Sequence, residues 1–587
     1  MAKLLFIHPQ IRTNEPPQHP PYGALQLAGV VDQLGHKVGI LDNNALRLPV
    51  DAVRQQLKDE AWDIFCLTGL TTQYKFIREL VPIIRELYPA ALIAGGGGWF
   101  TAQPMDMMRW LPALDVGCIG EGYKTLPEII EHAEDRNWKN IKGIVYREGG
   151  KVKMTGMRPL LDDYYYCSEH SFTVKKSSDT TGTAVRKGYT FDEALEHDFV
   201  CPQCDKELVN NLDEEIPFPA YEFSPVETYL MYSMMPYSPE SMNPQCRRLD
   251  ILAGYGCPWH CSFCYHLGAS SSCLSKIYGK KIVGKDFRQH SPQYVIRLMQ
   301  HLRMTYCINF ASFMDENLTV NRKWFTKFCD LMEESGLATL VHWGMVCHSR
   351  TVDADMLKRA KDVGLSYVSY GGESTSQKLL TEMGKGQTKE QMQAAIDATH
   401  TAGINPIMSF IIGFPHTTID DLIGDAQFFL DNQIYVNPFF LTPYPGSKLY
   451  TEYKDRIIEQ AMTPEEKGFF ETPTVTTYKT LSTHGYIGYT IADGKEITQS
   501  SLNKNIDVIK GKIRDVALER WIASLDDATK LSVNLTEDFN DVELAGLRYM
   551  LNTWDIPRLT KFKKQRESEP QQIEIDKILT DLAARDK

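Results

Sequence analysis

Short apolar runs alternate with amphipathic stretches along the first quarter of the chain. Leu4–His8, Val38–Leu41, Ile64–Leu67, Ala91–Ala94 and Val116–Ile119 are apolar runs of strand length. Between them, Leu25–Leu34, Val53–Leu57 and Phe76–Leu87 carry apolar residues at helical spacing, and a further helix starts at Tyr123. Apolar strands separated by amphipathic helices predict a parallel sheet covered on both faces. The alternation stops between about 148 and 247, where Lys175–Gly188 is polar, rich in Ser, Thr and Gly, and reads as a loop. It resumes with Ile251–Ala253, Cys307–Phe310, Leu340–Gly344, Tyr367–Tyr370, Pro406–Ile412 and Asn437–Leu441. Six such strands with helices between them predict a partial β/α barrel. Beyond it, Ile506–Leu525 and Val542–Trp554 have helical patterns, and Lys561–Lys587 is highly charged.

The α/β chain thus divides into a sheet unit at 1–147, an insert or linker at 148–247, a barrel at 248–454 and an accessory helical region at 455–587. A length of 587 residues suits three or four units at roughly 150 residues each. The composition, 43% hydrophobic and 24% charged, is that of an ordinary soluble protein. No run reaches the roughly 18 apolar residues of a membrane span, and Met1–Pro9 reads as a first strand and not as a leader. A net charge of −12 argues against general nucleic-acid binding. Thirteen irregularly spaced cysteines do not form a disulfide framework, so a reducing, cytoplasmic setting is expected.

The sharpest chemical signal is Cys257, Cys261 and Cys264, spaced C-x3-C-x2-C behind Gly254-Tyr255-Gly256. Three thiolates on one tight loop can hold three irons of a [4Fe–4S] cluster and leave the fourth open to a ligand, where a storage cluster uses four cysteines. Zinc would want a fourth ligand nearby. In the sheet unit, the strand ends run into Thr68–Gln73 (with Thr71, Thr72 and Gln73), Gly95–Gly98 (Gly95, Gly96, Gly97, Gly98) and Gly120-Glu121-Gly122. Small residues at the carboxyl edge of a parallel sheet admit a large ligand, and neither a phosphate loop nor a dinucleotide fingerprint is present. In the insert, Cys167, His170, Cys201 and Cys204 form two close pairs of zinc-type ligands. The rivals are a second iron–sulfur site or cysteines that simply pack, and His197, Cys246 and Cys273 are substitute ligands. Asp315 either joins the polar groups at the barrel mouth or caps the following helix.

The cysteine run, with Phe263 before its last member, resembles the signature of the radical S-adenosylmethionine superfamily. Pro20-Pro21-Tyr22-Gly23, Gly95–Gly98 and Gly120–Gly122 resemble landmarks of the Rossmann-like (flavodoxin-like) cobalamin-binding domain that precedes the radical domain in one branch of that superfamily. The resemblance implies three cofactors: a [4Fe–4S] cluster, S-adenosylmethionine and cobalamin. Phe263, Tyr265, Arg350, Gly371, Gly372, Glu373 and Ser409 would line the S-adenosylmethionine site, with Arg350 on its carboxylate and Glu373 on its ribose or amino group. The D-x-H-x-x-G motif that supplies an axial histidine is missing, and His36, with Leu34 where Asp is required, reads as a surface residue.

The implied activity is methyl transfer from S-adenosylmethionine, through cobalamin, to an unactivated carbon after hydrogen abstraction by a 5′-deoxyadenosyl radical. A radical cyclase or rearrangement enzyme with the same cofactors is the alternative, and a cluster- and cobalamin-binding redox sensor is the alternative of another class. A flavodoxin or ferredoxin would supply electrons. The substrate is a small molecule, a lipid or a peptide; the aromatic stretch Tyr221–Tyr237 is a candidate wall for an apolar ring or lipid.

Overall fold

The computed structural model describes residues 1–452, apart from 12–16, 71–72, 171–193, 195–198, 265–269 and scattered positions within 234–244 and 413–443. Thr71, Thr72, His197, Tyr265 and the expected helical region after 454 lie outside the described residues.

Lys3–His8 (β1), Lys37–Asp42 (β2), Ile64–Leu67 (β3), Leu92–Gly95 (β4) and Val116–Cys118 (β5) are parallel neighbours in the order β2-β1-β3-β4-β5. Successive side chains on a strand point to opposite faces. Leu5, Ile7, Phe65 and Ile93 therefore pack against Ile77, Leu80 and Ile84 on one side. Leu4, Phe6, Ile64 and Leu92 meet Ala24, Ala28 and Val31 on the other. Two apolar faces require helices on both, which is the doubly wound arrangement. Strand order reverses between β1 and β3, so the crevice at their carboxyl ends is the place where such sheets bind ligands. The sheet continues past the expected boundary at 147 with Ile144–Glu148 (β6) and Lys151–Met154 (β7), both antiparallel. Gly149 and Gly150 turn that hairpin with φ of +58° and +75°, a pair of left-handed conformations that suits glycine.

The insert contributes Tyr165–Tyr166 (β8) and Val209–Asn210 (β9), a short antiparallel pair. Arg248–Ile251 (β10) then opens the second sheet. A hairpin of Gly254–Gly256 (β11) and Phe287–Gln289 (β12) stands apart from it. Phe310–Phe313 (β13), His342–Cys347 (β14), Leu365–Glu373 (β15), Asn405–Ile412 (β16) and Tyr435–Phe440 (β17) follow β10 in chain order, all parallel. This is the six-stranded open barrel that the sequence predicts.

Two details differ from the pattern. The second barrel strand begins at Phe310, not Cys307, because Cys307 takes φ +53° as the left-handed cap that ends the helix Pro292–Tyr306. Asp315 caps nothing: the side chain of Asn321 accepts from the Trp324 amide at 3.1 Å and starts the helix Arg322–Glu334. Trp324 and Trp343 are fully buried in the barrel core. Among the described residues, no helix is long and apolar enough to cross a membrane.

Candidate active site

The three-cysteine loop begins where β11 ends. Gly254 lies against β12 so closely that a Cβ would sit 2.5 Å from the Arg288 carbonyl, and Gly256 turns with φ +80° into Cys257. Cys257 is buried, while Cys261 and Cys264 are half-buried. The loop is pinned by two long-range bonds: the Ser262 amide donates to the Met383 carbonyl at 2.7 Å, and the Leu449 amide donates to the Ser262 carbonyl at 2.9 Å. Burial pushes the Cys261 thiol up to about 12; Cys264, Glu373 and Cys257 push the same way and Lys385 opposes them. Cys261 thus feels both other thiols of the loop and the Lys385 ammonium, surroundings that suit a cluster carrying anionic sulfur.

Lys385 is the residue that sequence reasoning missed, although the turn carrying it, Met383-Gly384-Lys385-Gly386, is conspicuous. Its Nζ lies 2.9 Å from Glu373 Oε1, and both groups are buried. Burial opposes its charge, but Glu373 and the thiols of Cys261 and Cys264 hold its pKa above the usual lysine range. Glu373 takes φ +66°, a conformation that costs a non-glycine residue about 1–3 kcal/mol, at a register shift between β15 and β16. Gly371 makes room for this pair: a Cβ there would meet Lys385 Nζ at 2.5 Å. Glu373, expected on the cofactor, is therefore engaged by the protein's own lysine.

Arg350, expected on a carboxylate, is exposed and donates to the Gly386 carbonyl at 2.7 Å. His348 Nε2–H donates to the Lys385 carbonyl at 3.0 Å and its ring stacks on Trp259 at 4.4 Å. Burial, then Lys385 and Arg350, lower its pKa to about 4, so it is neutral. Gln387 Nε2 donates to the carbonyls of Gly371 and Gly372 at 3.0 and 2.9 Å. Ser409 lies beside Gly371 in the neighbouring strand, and Phe263 packs on the barrel core. Around this mouth, Ser262 Oγ, Asp315 Oδ1 and Asn317 Nδ2 are buried with no hydrogen-bond partner. Asp315 Oδ2 accepts from the Ala253 amide at 3.0 Å. Burial, aided by Glu316, raises its carboxyl to about 8 against the bonds it accepts, so it is largely protonated at neutral pH.

At the first sheet, the glycine-lined edge is more selective than the sequence suggested. The space beside Gly95 and Gly117 belongs to Phe100, whose ring atoms lie 2.1 and 2.2 Å from where a Cβ would be. Gly97, at φ +87°, is pressed against the Gly69 carbonyl, which a Cβ would meet at 2.9 Å, whereas a Cβ at Gly96 or Gly98 would meet nothing closer than 3.7 Å. Gln73 is occupied: its Oε1 accepts from the Leu70 amide at 2.6 Å and its Nε2 donates to the Pro9 carbonyl at 2.5 Å, which ties together the loops after β1 and β3. Glu121 is likewise occupied, by Arg288 at 2.6 Å and the Leu161 amide at 2.9 Å. Gly120 and Gly122 flank it. His8, unremarked in the sequence, ends β1 at this edge, buried, with neither ring nitrogen hydrogen-bonded. Burial, opposed by Asp42, lowers its pKa to about 4. His36 sits at the opposite end of the sheet and accepts from the Ala2 amide, which removes it from the ligand edge. An unsatisfied buried imidazole costs about 1–3 kcal/mol unless something pairs with it. This edge therefore fits a bound polar cofactor.

The two edges meet. Gln26 Nε2 donates to Tyr255 Oη at 2.8 Å, and Tyr278 Oη donates to the Thr101 carbonyl at 2.6 Å. With the Arg288–Glu121 pair, these contacts seat the helix Tyr22–Gln33 and the segments after β4 and β5 on the strands and helix that flank the cysteine loop. Tyr221 and Tyr229, offered above as a substrate wall, are core residues instead: their hydroxyls bond to the Asp250 carbonyl and to Asp42. In the insert, Cys167, His170, Cys201 and Cys204 converge. Cys246 packs with Phe310, Tyr367 and Ile407, and Cys273 lies in the helix Ser271–Tyr278, so neither joins them.

Residues 251–429 match the Radical SAM superfamily, and residues 11–130 match the B12 binding domain. The chain carries a B12 binding domain followed by a radical SAM domain. The matched order, B12 binding domain first, accounts for the sheet followed by the open barrel. It also bears out the cofactor set of [4Fe–4S] cluster, S-adenosylmethionine and cobalamin. This radical SAM protein is 26% identical to an uncharacterized methyltransferase of Pyrococcus horikoshii over 73% of its own length and 78% of the relative's. It is 23% identical to the anaerobic magnesium-protoporphyrin IX monomethyl ester cyclase of Cereibacter sphaeroides, over 78% of its length and 64% of the cyclase. Its fold superposes on the radical S-adenosylmethionine methyltransferase TsrM of Kitasatospora setae with a TM-score of 0.57, at 15% identity and 90% coverage of both chains.

Proposed function

We propose that this radical SAM protein is a cobalamin-dependent methyltransferase acting on an unactivated carbon. The observation that carries the reading is the junction just described, in which the ligand edge of the B12 binding sheet rests on the hairpin and helix that bracket the cysteine loop. When bound, the cofactors supply a methyl group and the radical that opens a C–H bond to receive it. The chain supplies placement. Cys257, Cys261 and Cys264 hold the cluster. Lys385 balances thiolate charge beside it, and Glu373 fixes Lys385 there. Gly371, Gly372 and Ser409 on the barrel strands, and Phe263 in the cysteine loop, would line the place where S-adenosylmethionine binds. Gly96 and Gly98, with Gly97 between them, would leave room for cobalamin at the sheet edge, and the unpartnered His8 at the end of β1 would be available to it. Asp315, neutral and with one oxygen unpaired, can donate a hydrogen bond within the mouth without adding charge.

The test is anaerobic turnover of the reconstituted enzyme with S-adenosylmethionine and a strong reductant. Formation of S-adenosylhomocysteine together with 5′-deoxyadenosine supports methyl transfer. The likeness to a cyclase supports a second reading, radical ring closure, which yields 5′-deoxyadenosine without S-adenosylhomocysteine. Neither product would sink both readings.

A further inference from the structure

We infer that Cys167, His170, Cys201 and Cys204 form a structural zinc site that staples the insert beneath the cysteine-loop hairpin. Their four ligand atoms all lie within 4.8 Å of one another. Cys167 Sγ is 3.5 Å from His170 Nδ1 and 3.7 Å from Cys204 Sγ. A tetrahedral ion with Zn–S near 2.3 Å and Zn–N near 2.0–2.1 Å has edges of about 3.5–3.8 Å, so both distances are edges of one coordination tetrahedron. Thiolates on a four-iron cube bind separate irons and stand further apart, which disfavours a second cluster here.

The backbone is built for the ion. Cys201 and Cys204 sit on a knuckle: the amides of Cys204 and Asp205 donate to the Cys201 carbonyl at 3.3 and 2.9 Å, and Asp205 turns with φ +54°. The Cys201 amide closes the knuckle on the Lys206 carbonyl at 2.8 Å. Cys167 and His170 arrive from the segment after β8. Among the described residues, the apolar core around them is Tyr165, Ala194, Phe199 and Leu208 beside the cysteines, a core of the size that a metal cross-link reinforces. All four ligand positions are filled by protein, as in zinc sites that support folding and not catalysis.

What the staple holds is the platform of β12. Asp163 takes the Gln289 amide at 3.1 Å and Lys285 at 2.8 Å, Asn210 donates to the Gln289 carbonyl at 3.2 Å, and Asp213 takes His290 at 2.9 Å and the Ser291 amide at 3.0 Å. Through its pairing with β11, this strand sets the residue before Cys257.

The test is metal analysis of the full chain. A Cys257→Ala/Cys261→Ala/Cys264→Ala variant should retain one zinc per chain after dialysis against a chelator. A Cys201→Ser/Cys204→Ser variant should lose it, and hydrogen exchange at 287–289 should become faster. His170→Cys should keep zinc with unchanged exchange, which guards against simple misfolding. Cobalt substituted into the wild-type chain should give the visible bands of a tetrahedral thiolate site. Iron in place of zinc, no metal in the triple variant, or zinc persisting in Cys201→Ser/Cys204→Ser would overturn the assignment. Zinc loss with no change in exchange at 287–289 would overturn the staple.

Discussion

Replacing Lys385 by Met leaves Glu373 buried without its partner. At 2.9 Å, with an effective dielectric constant of about 20, the pair attracts by about 6 kcal/mol. Desolvation offsets part of that, and removing one member of a buried pair generally costs about 3–5 kcal/mol. The loss should appear locally, because Glu373 ends β15 in a strained left-handed conformation that the lysine helps to hold. Amide hydrogen exchange of peptides covering 365–373 reads this opening free energy directly, without assuming that a multidomain chain unfolds in one step. Lys385→Met should accelerate exchange there by a hundredfold or more, equivalent to about 3 kcal/mol. Glu373→Gln alone should act in the same direction. The double variant should lose markedly less than the sum of the two, by about 2–3 kcal/mol, since neither charge is then left alone. Strictly additive effects would mean that the two groups do not form a coupled pair, and the account of this corner of the site would fail.

Three further outcomes are expected. Asp315 holds its proton up to about pH 8 in the fold, whereas an ordinary aspartate (3.8) has lost it. The wild type should therefore lose stability as pH rises from about 4 to about 8, by up to about 1.4 kcal/mol per pH unit, and Asp315→Asn should remove that slope; parallel slopes in denaturant titrations at pH 5.5 and 8 would contradict this. Phe100→Ala should empty the space over Gly95 and Gly117 and destabilise the B12 binding domain by about 3–5 kcal/mol, read from its thermal transition; a change within error would show that the ring does not fill that space. Gly97→Ala forces a left-handed φ of +87° and a Cβ 2.9 Å from a carbonyl, so cobalamin retained through gel filtration should drop, whereas Gly98→Ala, with no neighbour closer than 3.7 Å, should retain it. Equal retention by the two variants counts against the glycine edge as the cofactor seat.

The chain's own pattern determined its architecture. Five apolar runs and the helices between them specify a parallel sheet because each strand must be covered on both faces, and six more runs specify the open barrel for the same reason. Cys257, Cys261 and Cys264 were legible because three ligands on one loop are a local arrangement, as were the two pairs in the insert. The parts that stayed hidden depend on residues far apart in the chain. No spacing rule links Lys385 to Cys261, Glu121 to Arg288, or Phe100 to the gap over Gly95 and Gly117. Glycine at a strand end looks the same in a sequence whether a ligand or a neighbouring ring takes the space. His8 looked like any strand residue until its burial without a partner could be seen. Sequence records which groups are available; only packing decides which of them are already spent on one another, and the ones left unsatisfied mark where the cofactors fit.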